Sequence, residues 1–359
     1  MSFRRLVPAC LAAALLLSAC SSDGEPEPVE TAAAEPDASE AEPEPDAEPV
    51  DETLAPLTGL PTSEDLTDRP ALVVKIENSP AARPQAGLDA ADLVFEELVE
   101  GGVTRFITVF HSHVPETAGP VRSARPIDVQ VASGLAERAG FAYSGARDQV
   151  QGLLAGSPLV LVTEGEGGFY RDSGRKAPHN LYVRTPETLA TVAERGATPP
   201  AEAAAFRFDT DLPSCPGAMP DCDSAGAAIE VAMSGSFRTG FTYDTAEGVY
   251  RRLQNGEPFT VTGDGRVAAA NVVVIGARHY QSGCCDTAGN PYDETDVTGE
   301  GRAIVLRDGA WFEATWEKAD DTAPLRLLDE DGGDLALKPG PTWLLLPDAS
   351  RLPAAPAAG

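Results

Sequence analysis

The chain has 359 residues and a formal net charge of -29, from 56 acidic and 27 basic side chains. Acidity on this scale argues against nucleic acid as the main partner, because a nucleic-acid-binding surface needs a basic patch. About 300 residues remain after the N-terminal segments described next, which is enough for two folded domains.

Residues 1–20 have the pattern of a bacterial lipoprotein signal. Two arginines precede an apolar run over residues 6–17, which is too short to span a bilayer. The sequence LSAC then resembles a lipobox, in which Cys20 is lipidated and becomes the mature N-terminus. An ordinary signal peptide with a chance cysteine is the alternative. The pattern predicts a lipid-anchored protein on the extracytoplasmic face of the cell membrane.

Residues 21–56 differ in composition from the rest of the chain. They contain 13 acidic side chains, no basic ones, many Pro and Ala, and no aromatic residue. Such a segment cannot bury enough apolar surface to offset the entropy lost on ordering. It is predicted to be a disordered, extended stalk.

Residues 57–195 alternate strand and helix patterns and are predicted to form an N-terminal α/β domain. Apolar runs bounded by turn residues predict strands at 71–76, 93–99, 104–111 and 141–144. Helices are predicted at 126–139, at 147–154 and from Thr185 onward, with Ser123 as a candidate cap of the first helix.

The remaining regions are a linker, a β-rich domain and a tail. Residues 196–227 are rich in Pro, Ala and Gly and are predicted to be a linker. Residues 228–348 form the smaller β-rich domain, with a hairpin turn at Asp308-Gly309 and a last strand at 342–346. Residues 349–359 are predicted to be a frayed tail.

Four cysteines remain outside the leader. Cys215 and Cys222 form the favoured local disulfide, since an exported protein meets an oxidising compartment. Cys284 and Cys285 then form a vicinal bridge or stay as thiols, and a crossed pairing with the linker is a further possibility. No standard zinc spacing includes His279 with these two cysteines, so neither a metal nor a cofactor is predicted.

The stretch GPVRSARPID places Arg122 and Arg125 before a predicted helix start at Pro126. A helix N-terminus favours a phosphate or carboxylate, and arginines bind such groups through paired hydrogen bonds. The alternative is that both arginines pair with Glu96, Glu97 or Glu100.

A second basic stretch, FYRDSGRKAPHN, brings four more cations into one Gly-marked loop. If this loop folds over the helix start, the cations converge on one anion. The alternative is a solvated basic loop. The predicted anion-binding set is Arg122, Arg125, Arg171, Arg175, Lys176 and His179, with Arg105 and Asn78 as lesser candidates.

An enzyme acting on a cell-envelope polymer is the second hypothesis, with His179 and Asp172 or Glu97 as an acid–base pair. Ser123, Ser144 and Ser173 are candidate nucleophiles, but no nucleophile-elbow motif supports them. Glu96, Glu97 and Glu100 could bind a divalent cation together with Asp128, but strand alternation places Glu96 and Glu97 on opposite faces. A third hypothesis is a protein-docking lipoprotein that uses an edge strand or the Trp311/Trp316 face.

Several long blocks resemble the YerB-like bacterial lipoproteins, a family without an assigned function. They include KIENSPAARPQAGLDAADLVFEELVEGGVTRF, GPVRSARP, FYRDSGRKAPHNLY and GEGRAIVLRDGAWFEATWEK. The resemblance implies an N-terminal α/β domain layered as sheet, sheet and helix, a smaller β-rich domain, and a lipid-anchored envelope protein. It implies no catalytic mechanism. A binder of an anionic, phosphate- or carboxylate-bearing envelope ligand is therefore favoured over an enzyme on the residues alone.

Overall fold

The computed structural model describes residues 53–204, 206–211, 228–263, 265–286 and 288–355. The predicted leader with Cys20, most of the predicted stalk, and the predicted Cys215–Cys222 bridge lie outside these residues. The described fold starts four residues before the predicted boundary at 57. Thr53–Leu54 pairs with Pro61–Thr62, and Ala55 is buried.

The described residues form three α-helices, five short 3-10 helices and 22 strands. The α-helices are α1 (Pro126–Ser133), α2 (Asp148–Gly156) and α3 (Thr185–Glu194). The 3-10 helices are Pro80–Ala82, Leu88–Ala90, Glu100–Gly102, Glu202–Ala204 and Ala349–Arg351. The strands are β1 (Thr53–Leu54), β2 (Pro61–Thr62), β3 (Leu72–Glu77), β4 (Leu93–Leu98), β5 (Thr104–Phe110), β6 (Thr117–Ala118), β7 (Gly140–Ala142), β8 (Val160–Val162), β9 (Phe169–Arg171), β10 (Leu181–Arg184), β11 (Ala228–Ala232), β12 (Arg238–Asp244), β13 (Val249–Gln254), β14 (Glu257–Pro258), β15 (Ala268–Ala269), β16 (Asn271–Ile275), β17 (Arg278–Cys285), β18 (Pro291–Asp296), β19 (Gly299–Arg307), β20 (Ala310–Lys318), β21 (Arg326–Leu328) and β22 (Thr342–Leu346).

A ten-stranded sheet runs through both halves of the chain, in the order β21-β20-β19-β16-β22-β4-β5-β3-β7-β8. The junction is β22, which pairs in parallel with β4 so that Leu344 lies opposite Phe95. The sequence regions 57–195 and 228–348 therefore share one sheet and its buried core. The predicted mixture of helices and strands, with a β-rich C-terminal region, is confirmed, and the fold is of the α+β class.

The central sheet is covered on both faces. On one face, Val73 and Ile107 pack with Ile127 and Val131 of α1. On the other face, Ile76 and Phe106 pack with residues of a second sheet built from β11, β12, β13, β14 and β15. The strands β3, β4, β7, β8, β16 and β22 all run in one direction, so their carboxyl ends lie at one edge. Open α/β sheets bind ligands at such an edge.

Three local expectations differ from the structure. Helix α1 ends at Ser133 and not at residue 139, with Gly134 as its C-cap. Its N-cap is Arg125 and not Ser123. The start of the predicted linker packs on the fold, because the Ala201 amide donates to the Leu135 carbonyl and Phe206 is buried.

The hairpin of β17 and β18 carries the adjacent cysteines, which form a vicinal Cys284–Cys285 disulfide. The His279 ring instead contacts the Leu346 carbonyl, 2.9 Å from Nε2. Within the described ranges, no group of three or more His, Cys, Asp and Glu side chains is arranged to hold a metal ion. Of the helices described, none has the length and apolar character needed to cross a membrane.

Candidate functional site

Successive side chains of a β-strand point to opposite faces of the sheet, so the polar residues at the carboxyl edge lie on two faces. Arg105 of β5 lies opposite Glu77 of β3 and opposite Glu97 of β4. These three side chains share the face that α1 covers. Glu96, the neighbour of Glu97, is on the face covered by the second sheet.

A fully buried charged group lies under α1. The Lys75 ammonium binds the Glu97 carboxylate and lies 2.6 Å from Asp128 Oδ1. Burial raises the pKa of Glu97 to about 7, against the opposing effect of Lys75. Asp128 also accepts the Arg125 backbone N–H at 2.6 Å. The start of α1, predicted to receive a ligand anion, is therefore occupied by a carboxylate of the protein itself.

Arg125 forms a buried ion pair with Glu100. Its Nε lies 2.8 Å from Glu100 Oε1, and its Nη2 binds the second carboxylate oxygen. Its Nη1 donates to the Ala124 carbonyl at 2.7 Å. Arg125 therefore pairs with Glu100, which is the alternative to ligand binding that its sequence position also allowed.

Arg105 is the unbalanced cation of the site. It is only 9% exposed, and its Nη1 donates to the Ser123 carbonyl at 2.7 Å. Within the part of the chain that the structure describes, no carboxylate lies within 4.0 Å of its guanidinium. Burial, followed by the nearby charges of Arg125 and Arg122, lowers the pKa of Arg105 to about 9, against the opposing effect of Glu100 and Glu97. A bound anion would relieve this arrangement of like charges.

Arg122 and His179 converge on the Glu77 carboxylate beside Arg105. Arg122 Nε lies 3.5 Å from Glu77 Oε2, and His179 Nδ1 lies 2.9 Å from the same oxygen. Ser79 donates to the other oxygen, Oε1, at 2.7 Å. Arg122 Nε is buried without a hydrogen-bond partner. The side chains of Arg122 and His179 are each 26% exposed, so solvent reaches both.

The other cations of the FYRDSGRKAPHN loop have structural partners or face solvent. Arg171 makes a two-point surface contact with Glu164, at 2.7 and 2.8 Å. Arg175 donates to the Tyr182 hydroxyl and to the carbonyls of residues 81, 83 and 84, which ties this loop to the segment after β3. Lys176 is exposed. The predicted six-cation cluster is thus reduced to Arg122 and His179, with Arg105 joining them.

Asn78 belongs to the opposite face. Its amide donates to Thr104 Oγ1 at 2.8 Å and to Gln254 Oε1 at 3.2 Å. Both partners lie in a buried network around the Glu96–Arg252 ion pair, in which Arg252 Nη2 lies 2.9 Å from Glu96 Oε2. Asn78 therefore holds the second sheet against the central one and does not point toward Arg105.

The predicted acid–base partners of His179 are engaged elsewhere. Asp172 accepts the Gly174 amide within its own turn, at 2.8 Å. Glu97 is buried and forms an ion pair with Lys75. The carboxylate that contacts His179 is Glu77, which the sequence reasoning missed. The sequence did contain a signal for this charged site. Lys75 and Glu77 are two residues apart at the end of a strand, so their side chains lie on the same face of the sheet.

Another contact that was not predicted from the sequence lies beside the site and is made by Arg147. Arg147, before α2, binds Glu294 of β18 and donates to Ser282 Oγ at 2.9 Å. Its guanidinium also lies 4.2 Å from the ring centroid of Tyr292. The β17–β18 hairpin of the C-terminal region is thereby fixed next to the charged edge of the N-terminal region.

The fold and site define an α+β protein in which two sequence regions build one sheet with a buried, charged carboxyl edge. Residues 57–198 match the N-terminal domain, and residues 229–344 the C-terminal domain, of the family described as "Protein of unknown function (DUF3048)". The chain belongs to this family.

A curated relative and a solved structure agree with this assignment. The chain is 31% identical over 302 residues to "Putative lipoprotein YerB" of Bacillus subtilis (strain 168), covering 82% of this chain and 86% of the relative. It also superposes on the crystal structure of YerB protein from Bacillus subtilis with a TM-score of 0.70 and 27% identity. That match covers 84% of this chain and 98% of the solved one.

Proposed function

We propose that this protein is held on the extracytoplasmic face of the cell membrane by a lipid on Cys20 and binds an anionic envelope ligand at the Arg105 cluster. The Arg105 cluster comprises Glu77, Arg105, Arg122 and His179. The lipid anchor is supported by the LSAC pattern and by the name of the Bacillus subtilis relative, which describes it as a lipoprotein. Anion binding is supported chiefly by one observation, the buried guanidinium of Arg105 without a carboxylate partner.

Charge counting limits the ligand to a small charge. The buried edge holds four cations, which are Lys75, Arg105, Arg122 and Arg125. Lys75 contacts the Glu97 and Asp128 carboxylates. Arg122 contacts Glu77, and Arg125 contacts Glu100. Among the described residues, Arg105 has no carboxylate within 4.0 Å of its guanidinium, so the surplus is one unpaired guanidinium, on Arg105.

A surplus of one charge suits a monoanion. Phosphodiesters and carboxylates carry one negative charge and accept paired hydrogen bonds from guanidinium groups. A pyrophosphate carries more charge and would face the Glu77 and Glu100 carboxylates without enough cations to balance it. We therefore favour a ligand whose repeating or terminal charge is a phosphodiester or a carboxylate.

Thermal unfolding of the full chain with small anions tests this function. Diethyl phosphate and acetate represent the two monoanions, and pyrophosphate represents a multiply charged anion. Ligand at about 100 times its dissociation constant stabilises a protein by about 2.7 kcal/mol. For a chain of this size we expect a rise of several degrees in the melting temperature with a monoanion.

The variants Arg105→Gln and Arg122→Gln should lose that protection. Arg171→Gln is the matched control, because it removes a guanidinium of the predicted set that pairs with Glu164 at the surface. Equal protection of Arg105→Gln and the wild type would overturn the proposal, as would no protection by either monoanion.

A further inference from the structure

His179 and Glu77 have the geometry of an oriented general base. The ring Nδ1 of His179 lies 2.9 Å from Glu77 Oε2, so the carboxylate holds the tautomer with the proton on Nδ1. In that tautomer Nε2 is a proton acceptor. Among the described residues Nε2 has no hydrogen-bond partner, and the side chain is 26% exposed. A histidine oriented by a carboxylate and open to solvent is the arrangement that activates a nucleophile.

The Glu77 carboxylate is fixed from two further directions. Ser79 donates to its Oε1 at 2.7 Å, and Arg122 lies 3.5 Å from its Oε2. The carboxylate sits at the end of β3, directly opposite Arg105 of β5. Through Glu77, His179 is therefore held near the strand position of Arg105.

We infer that the Arg105 cluster hydrolyses a phosphodiester, with His179 as the catalytic base and Glu77 as its positioning residue. This inference rests on the proposed binding of a monoanion by Arg105 and Arg122. The two arginines would bind the non-bridging oxygens of the phosphodiester. Charge that develops on these oxygens during the reaction is then stabilised by fixed guanidinium groups.

The reaction needs only water as a second reactant. His179 Nε2 takes a proton from water, and the water oxygen forms a bond to phosphorus. The bond between phosphorus and one ester oxygen breaks as this occurs. The departing alkoxide takes the proton from His179, which returns the ring to its neutral form. The products are a phosphomonoester and an alcohol, and no electron transfer is involved.

The phosphomonoester product differs from the substrate in charge. It carries up to two negative charges, and the added charge faces the Glu77 and Glu100 carboxylates. Repulsion by these carboxylates favours release of the product. A carboxylate ligand would bind without reacting, since it has no ester bond to break.

Turnover of bis(4-nitrophenyl) phosphate by the full chain tests the inference, because each cleavage releases one 4-nitrophenolate. Binding is followed separately with diethyl phosphate. We expect His179→Ala to lower kcat about a hundredfold or more, which is the size of a general-base contribution. Binding of diethyl phosphate is measured in parallel so that kcat is compared at saturation, and added imidazole should restore part of the rate.

The variant Glu77→Gln distinguishes a role of Glu77 in positioning His179 from a role in folding. It should lower kcat while leaving the circular dichroism spectrum unchanged, and imidazole should not rescue it. Arg171→Gln is again the control and should keep the wild-type kcat. All variants are purified in parallel, so that a contaminating phosphodiesterase would show as equal rates in every sample.

The outcomes separate the two proposals. If the wild type binds diethyl phosphate but releases no 4-nitrophenolate, the inferred hydrolysis is wrong and the binding function stands. If His179→Ala keeps the wild-type kcat, the inference also fails. If diethyl phosphate does not bind at all, the inference fails, and the proposed function fails with it when acetate does not bind either.

Discussion

Glu96 and Glu97 are adjacent in β4, yet their carboxylates bind partners on opposite faces of the central sheet. Glu96 pairs with Arg252 of β13, and Glu97 pairs with Lys75 of β3. Both pairs are fully buried. One face of the strand end thus joins the two family domains, and the other supports the charged edge that carries Arg105.

The Glu96–Arg252 pair gives a prediction about stability. Removing one partner of a buried ion pair leaves the other charge uncompensated and costs about 3–5 kcal/mol. Arg252 also lies over the rings of Phe106, Phe259 and Trp343, at 4.1 to 5.3 Å from their centroids. We expect Arg252→Met to lower the free energy of unfolding by about 3–5 kcal/mol, measured by urea denaturation.

Arg238→Met is the matched control for this prediction. Arg238 pairs with Glu230 at 3.2 Å, but both side chains are about half exposed. Surface pairs of this kind contribute about 1 kcal/mol or less. Similar losses for the two variants would show that the buried pair does not hold the sheets together.

The pKa of Glu97 gives a prediction about pH. Its pKa is about 7 in the folded chain and 4.5 in its ordinary state, so the folded chain binds more protons between these values. Stability contributed by this group is therefore lost as pH rises from about 4.5 to about 7. Glu97→Gln should remove that loss, and its stability relative to wild type should rise with pH across this window.

Urea denaturation of both proteins at several pH values measures this difference directly. Taking the difference between the two proteins removes the pH-dependent contributions of other titrating groups. One such group is His111, whose pKa burial lowers to about 4. A constant difference between the two proteins from pH 4.5 to 7 would mean that the Glu97 carboxylate is ionised throughout this range, which would contradict the raised pKa.

Two glycines give opposite predictions for substitution by alanine. A Cβ on Gly140 of β7 would meet Val192 Cγ2 at 2.7 Å, and both residues are buried. Gly140→Ala should destabilise the fold by about 1–3 kcal/mol through overpacking. A Cβ on Gly152 of α2 would meet no atom within 4 Å.

Gly152→Ala should stabilise the fold by about 0.5–1 kcal/mol, because glycine is a poor helix former. The melting temperatures of the two variants should therefore move in opposite directions from the wild type. A Gly140→Ala variant that melts at or above the wild-type temperature would contradict the close packing of α3 on β7.

Much of the fold was predictable because the buried strands are apolar runs bounded by turn residues. The last strand, Thr342–Leu346, was predicted with its observed bounds, and β4 and β5 with ends displaced by one residue. The β17–β18 hairpin was missed because the side chains of β17 are exposed or half-buried along its whole length. Without a buried face, a strand lacks the alternating apolar pattern that reveals it.

The site was predictable in part. Arg122 and His179 were identified because cations are rare in this acidic chain, and both contact Glu77, which lies opposite Arg105 on the neighbouring strand. Their shared partner was not identified, because Glu77 is 102 residues from His179 and acids are abundant throughout the sequence. Arg125 and Arg171 have carboxylate partners, and such pairings cannot be read from a single sequence. Anion binding by Arg105 and Arg122 stays a prediction.

A crystal structure of the full chain grown with diethyl phosphate is the most direct test of anion binding at the Arg105 cluster. We predict phosphate density within hydrogen-bonding distance of Arg105 and Arg122, next to His179. Density absent from this position in crystals that hold diethyl phosphate elsewhere, with the guanidinium groups turned to carboxylates of the protein, would contradict it.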